Sequence, residues 1–171
     1  MILKNLRKLD PCEDGLAYAE SHRSLHAAWD ACERGDWMLW LLGRLSGPPE
    51  SASRRKLVLA ACACARLSLK HVSKGEKRPR AAIEAAEDWA KGGETTLNQV
   101  RNANAAANAA YAANAAATAA AYAAYAAADN AAAHAAYAAK REANLKKCAD
   151  IVRSMYPKAP SLRARGKGEG K

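Results

Sequence analysis

The chain has 171 residues, half of them hydrophobic by type, and carries a formal net charge of +10. That length suits one domain with an extension, and the excess of cations favours anionic partners or simply keeps the protein soluble. Five cysteines, odd in number and irregularly spaced, argue against a disulfide framework and for reduced thiols in a cytoplasm.

The hydrophobic share overstates the core, because much of it is alanine, which buries little area per residue. Large apolar side chains concentrate before Trp89, so a compact core is expected there. Phe is absent, leaving Trp29, Trp37, Trp40 and Trp89 to supply aromatic volume. The start, MILKNLRKLD, has no apolar run of the kind a secretory signal needs.

In chain order, Asp10-Pro11-Cys12-Glu13 predicts a helix capped by Asp10, with Pro11 at its first position and Glu13 at its third. Gly15 weakens this helix. Ser24 is placed to cap a second, LHAAWDAC, ending at Arg34-Gly35. Asp36 then reads as the cap of WMLWLLGRL, a helix apolar nearly all round and therefore buried, which Gly47-Pro48-Pro49 stops. Ser51 or Ser53 opens a longer helix through RRKLVLAACACARLSLKHV. Its predicted packing line is Leu57, Ala61, Cys64 and Ser68, with Val58, Cys62 and Ala65 beside it. A polar loop from Ser73 to Lys77 leads to RAAIEAAEDWAK, with Pro79 in its first turn, Ile83, Ala86, Trp89 and Ala90 inward, and Gly92-Gly93 closing it. Thr96-Leu97-Asn98-Gln99 is a capping box for the next helix.

That next helix is an alanine block from Asn102 to Ala139, about two-thirds alanine and free of Gly and Pro. Asn104, Asn108, Tyr111, Thr118, Tyr122, Tyr125 and Asp129 recur at spacings of three, four or seven. They share one stripe roughly 100° wide, which Asn114 widens slightly. The stripe suits either a seam with the rest of the chain or a recognition face with tyrosine anchors and adaptable amides. Asn130, His134 and Tyr137 sit about 100° round from it. One helix from Leu97 to Tyr156 would be roughly 90 Å long, so an antiparallel hairpin turning near Asp129-Asn130 is preferred to a single long helix. Asn, Asp and His recurring through the block argue against a membrane span.

No segment alternates with period two, so the fold class is all-α. The chain divides into a compact multi-helix bundle over residues 1–93, the alanine-rich segment over 94–156 packing on it, and a disordered basic tail over 157–171.

Motifs for chemistry are few. His22 and His26 with Cys12 and Cys32 invite a zinc reading, but Ser24 separates the histidines as a cap, and Cys62 and Cys64 point to different helix faces, so no metal site is assigned. There is no GxSxG, Gly-rich phosphate loop or HExxH, so neither catalytic residues nor a cofactor are assigned. Cys64 or Cys148 with His71 or His134 could be drawn as a pair, but nothing in the sequence unites them. The Arg34-Gly35-Asp36-Trp37 turn and the Glu76 to Arg80 loop place charge beside tryptophans. Besides surface ion pairing, they offer a recognition rim of Arg34, Arg44, Arg78 and Arg80. Towards the C-terminus Lys140, Arg141, Lys146, Lys147, Arg153, Arg163 and Arg165 form a basic region opposed only by Glu142, Asp150 and Glu169, which supports nucleic-acid binding as the alternative function. The alanine faces also permit close pairing between two copies of the chain.

The stretches AWDACERGDWMLWLLGRLSG, RRKLVLAACACARLSLKHV and GEKRPRAAIEAAEDWAKG, followed by an Ala/Tyr-rich helix, resemble an immunity-protein family of bacteria and phages. The resemblance covers roughly residues 10–93 in detail. It implies a cytoplasmic, non-enzymatic helical protein that binds and neutralises a toxin or defence effector, and it carries no catalytic residue onto this chain.

Overall fold

The structure is a computed structural model that describes residues 2–72, 74–106 and 130–162. All its regular elements are helical, and no strand occurs among the described residues. They are α1 (Ile2–Arg7), α2 (Glu13–Glu20), α3 (Leu25–Ala31), α4 (Gly35–Leu45), α5 (Ala52–Arg66), a 3-10 turn (Leu69–His71), α6 (Arg78–Lys91), α7 (helical over 97–106) and α8 (Asn130–Met155). The chain is all-α, as its periodicity predicts. The turn expected at Asp129-Asn130 lies outside the described residues, apart from Asn130, where α8 begins.

Local chemistry sets most boundaries. Ser24 accepts from the Ala27 N–H at 3.1 Å and Ser51 from the Arg54 N–H at 3.2 Å, opening α3 and α5. The Thr96–Gln99 box closes in both directions, with Thr96 N–H donating to Gln99 Oε1 at 2.7 Å and Gln99 N–H to Thr96 Oγ1 at 3.3 Å. Gly92 ends α6 with φ +82°, a left-handed turn that glycine adopts without steric cost.

Two predicted caps are corrected. Asp10 does not open α2; its φ of +58° closes the turn after α1, where its N–H donates to Arg7 O at 3.2 Å, and Cys12 is the residue before α2. Asp36 does not cap α4, which starts at Gly35 with Arg34 before it. The Asp36 carboxylate is engaged instead by Arg34, whose Nε and Nη2 donate at 2.9 and 2.7 Å.

α4 and α5 form the middle of the bundle: α6 packs along α5, while α8 lies against both α4 and α5. α5 is therefore buried on two sides. Leu57 and Cys64 belong to the main core, with the Cys64 thiol donating to Cys148 O at 3.7 Å, while the Cys62 thiol faces α6 and donates to Ile83 O at 3.8 Å. This corrects the single predicted line, since Ala61, Ala65 and Ser68 are exposed and Ala60 is fully buried. The inner face of α6 is as predicted at Ile83, Trp89 and Ala90, all buried.

The main core joins Leu6, Ala19, Trp29, Met38, Leu41 and Leu42 to Ala149, Val152 and Leu162. It is thus not confined to residues before Trp89. The last turns of α8 replace alanine with Cys148, Ile151 and Val152, and Tyr156 follows directly, which gives that end of the helix something to bury. The stretch from Pro157, expected to be disordered, continues into this core as far as Leu162. Arg163 to Lys171 lie outside the described residues.

Candidate functional site

A half-open cleft of about 400 Å³ among the described residues is walled by α2, α3 and α4 together with Leu6, Pro11 and Cys12. Its walls follow from short helices. α2 contributes Gly15, Tyr18 and Ala19, α3 contributes Leu25, Ala28 and Trp29, and α4 contributes Trp37, Met38, Trp40 and Leu41. α4 is apolar on nearly every side, so the flank not covered by α5 and α8 is left to line this space. Gly15 faces this space, where a Cβ would lie 3.8 Å from the Trp37 indole and 3.2 Å from Cys12 Sγ, so a longer side chain would enter it. The helix-weakening glycine of the sequence is thus where α2 faces Trp37.

Several polar groups of the wall are already engaged within the protein. Tyr18 OH donates to Ala28 O at 3.2 Å, Trp29 Nε1 to Tyr156 O at 3.1 Å and Cys32 Sγ to Arg34 O at 3.6 Å. Arg34 and Asp36 form a two-pronged pair, and the guanidinium also lies 4.1 Å from the Trp37 ring centroid, a cation–π contact. The hydrogen bonds from Arg34 hold the Asp36 carboxyl below its ordinary range, and those bonds in turn raise Arg34. Burial pushes Tyr18 and Cys32 up. Among the described residues no buried side-chain N or O lacks a partner, and no polar or charged residue is fully buried.

The sequence-predicted residues are distributed as follows. Of the partner-binding set, Arg34 stacks on Trp37 at the cleft, and Arg44 lies 5.6 Å from the Trp40 centroid on the same helix. Arg78 and Arg80 begin α6, which packs on α5; Arg78 is paired with Glu76, its Nε 2.9 Å from Oε1, and Arg80 is exposed. The four arginines therefore fall in two places, Arg34 and Arg44 just before and within α4, and Arg78 and Arg80 in the first turn of α6. Asn104 is exposed on α7, whereas Asn108, Tyr111, Asn114, Thr118, Tyr122, Tyr125 and Asp129 lie outside the described residues.

Of the basic set, Arg141 and Lys147 are exposed, Lys146 pairs with Glu33, and Lys140 is placed only as part of the α8 backbone. Arg153 is turned inward: it donates to Cys32 O, to Trp29 O at 3.4 Å and to Asp150. It caps the carbonyl end of α3, so its charge serves the fold. Arg163 and Arg165 lie outside the described residues.

His22 Nδ1 is 2.8 Å from Tyr18 O, and His26 is 3.5 Å from Asp30. Among the described residues, no three His, Cys, Asp or Glu side chains are grouped to hold a metal ion. No described helix is long and apolar enough to cross a membrane. Sequence reasoning did not single out Gly15, Tyr18, Trp29 or Met38 as a site; the available signal was the density of tryptophan around a glycine-containing short helix.

The buried thiols carry a pH prediction. Burial pushes Cys62 to about 11 and Cys64 to about 12, from an ordinary value near 9. A group raised in the folded state contributes stability that is fully present below its unfolded pKa and is lost as pH rises towards the folded one. Stability should fall above about pH 9 by on the order of a few kcal/mol for the two thiols together. A Cys62→Ala/Cys64→Ala variant starts less stable but loses less between pH 8.5 and 10.5, which urea unfolding at stepped pH measures. Parallel losses in both proteins would remove the thiols as the cause.

No family model, curated protein or solved structure matches the chain.

Proposed function

We propose that the chain is a non-enzymatic binding protein that acts by engaging a protein partner, as an immunity or anti-defence factor in the cytoplasm that neutralises a toxin or defence effector. The observation that carries this reading is the α4 face, where Arg34 and Arg44 lie over the half-exposed indoles of Trp37 and Trp40. Arg and Trp are the side chains most enriched among the residues that dominate protein interfaces, because each combines a large flat contact area with a polar edge. The resemblance of residues 10–93 to an immunity-protein family points the same way. The Asn/Tyr stripe of the alanine block is the second contact surface in this reading.

Affinity capture from bacterial lysate tests it. The wild-type chain should retain a protein in stoichiometric amount, and Trp40→Ser/Arg44→Glu should weaken retention by at least about tenfold, the effect of losing one interface anchor. A Tyr111/Tyr122/Tyr125→Ala variant reports on the stripe. Absence of a stoichiometric protein, or equal retention by all three chains, would sink the reading.

Nucleic-acid binding through the basic C-terminal region is less well supported, because Lys146 is paired with Glu33 and Arg153 is committed to carbonyls of α3 and its end. Arg141 and Lys147 remain exposed cations on α8. If this reading holds, binding falls steeply with salt as condensed counterions are displaced.

A further inference from the structure

We propose that the cleft between α2, α3 and α4 is a binding site for an uncharged, largely apolar small molecule. The argument rests on what its wall offers and what it withholds. A cleft of about 400 Å³ is within the range that encloses a drug-sized ligand. Its surface is built from the side chains of Leu6, Leu25, Met38 and Leu41 and from indole rings, so an apolar guest gains by leaving water.

The polar demand on the guest is limited to the indole N–H groups of Trp37 and Trp40, which an uncharged acceptor satisfies. Tyr18, Trp29 and Cys32 each donate to a backbone carbonyl of the protein itself. The two charges at the cleft cancel, because Arg34 and Asp36 are locked to each other through two hydrogen bonds. An anionic guest at Arg34 would be repelled by the adjacent Asp36 carboxylate, and a cationic guest at Asp36 by the Arg34 guanidinium. A neutral guest disturbs neither, so the charge pattern of the cleft is complementary to no charge at all. Tyr18 and Trp37, with ring centroids 5.5 Å apart and planes tilted by 52°, pack on each other and present one aromatic wall against which a guest ring can lie.

This inference goes beyond protein binding and is read by a separate measurement. The probes are N-phenyl-1-naphthylamine, which is uncharged, and its 8-sulfonate, which adds one negative charge to the same skeleton. Titrated by fluorescence into the full chain, the uncharged probe should saturate at one per chain and bind at least about tenfold more tightly than the sulfonate. Gly15→Leu places a side chain beside Trp37 inside the cleft and removes no core group, while Cys12, an exposed side chain, is free to rotate away. It should weaken the uncharged probe by about tenfold or more at unchanged far-ultraviolet circular dichroism.

A second measurement covers a variant that fails to fold. In the wild-type chain labelled with methyl-carbon-13 methionine, the signal of Met38, which lines the cleft, should shift on adding the uncharged probe, and that of Met155, which does not, should stay. Non-saturable binding, equal affinity for both probes, undiminished binding by a folded Gly15→Leu chain, or a Met38 signal that does not move would each overturn the proposal.

Discussion

Replacing Trp29 with Ala is expected to cost about 3–5 kcal/mol of folding stability, the usual range for deleting a buried aromatic side chain. Trp29 is only 3% exposed, and it belongs to α3, a helix of seven residues that has too few hydrogen bonds to persist alone. Its indole N–H donates to Tyr156 O at 3.1 Å, just past the end of α8, and its own carbonyl accepts from Arg153 at 3.4 Å. One side chain thus ties the N-terminal helices to a segment more than a hundred residues away in sequence. Trp29→Phe keeps most of the buried apolar area and loses the N–H, so it should cost about 1–2 kcal/mol. Urea unfolding followed by circular dichroism separates the two. If Trp29→Ala unfolds within about 1 kcal/mol of the wild-type chain, below any ordinary cost of such a deletion, the tie is not what holds α3 in place.

Gly35→Ala should be destabilising by about 1–3 kcal/mol, because an added methyl has nowhere to go. A Cβ at Gly35 would stand 2.4 Å from Cys148 Cβ and 2.7 Å from the backbone nitrogen of Ala149, so α8 itself would have to move. The requirement is one of space, since Gly35 is not among the glycines with positive φ. The same substitution at Gly43, further along the same helix, has the opposite expected sign. There the nearest atom to the new methyl is Leu57 Cδ2 at 3.9 Å, an ordinary contact, and alanine should gain about 0.5–1 kcal/mol over glycine within a helix. Shifts of the same sign in both variants, measured by denaturant midpoint, would mean that close approach of α4 and α8 is not the reason for Gly35.

The two variants also bear on the cleft differently. Trp29 is part of its wall, so Trp29→Ala should alter probe binding as well as stability. Gly35 is outside the wall, so a chain that remains folded with Ala there should retain the probe. Comparing the two distinguishes loss of the site from loss of the fold.

The amino-acid sequence by itself determined the class of the protein and most of its helix boundaries, because those depend on groups a few residues apart. Ser24, Ser51 and the Thr96–Gln99 box satisfy backbone N–H groups within one turn, and Gly92 ends α6 by its own conformational freedom. Where a local group has a competing partner, the same reasoning gave the wrong role: Asp36 is taken by Arg34, and Asp10 closes the turn behind it instead of opening the helix ahead. Which face of a helix is inside depends on what stands opposite. Only the tertiary structure decided that α5 is covered on two sides, that Arg153 turns inward to the end of α3, and that Leu162 completes the core. The cleft belongs to the same category. Its glycine, its tryptophans and its paired charges are all visible in the sequence, but a cavity is a property of the space between three helices. That space is set by how α2, α3 and α4 are brought together, and no periodicity within any one of them encodes it.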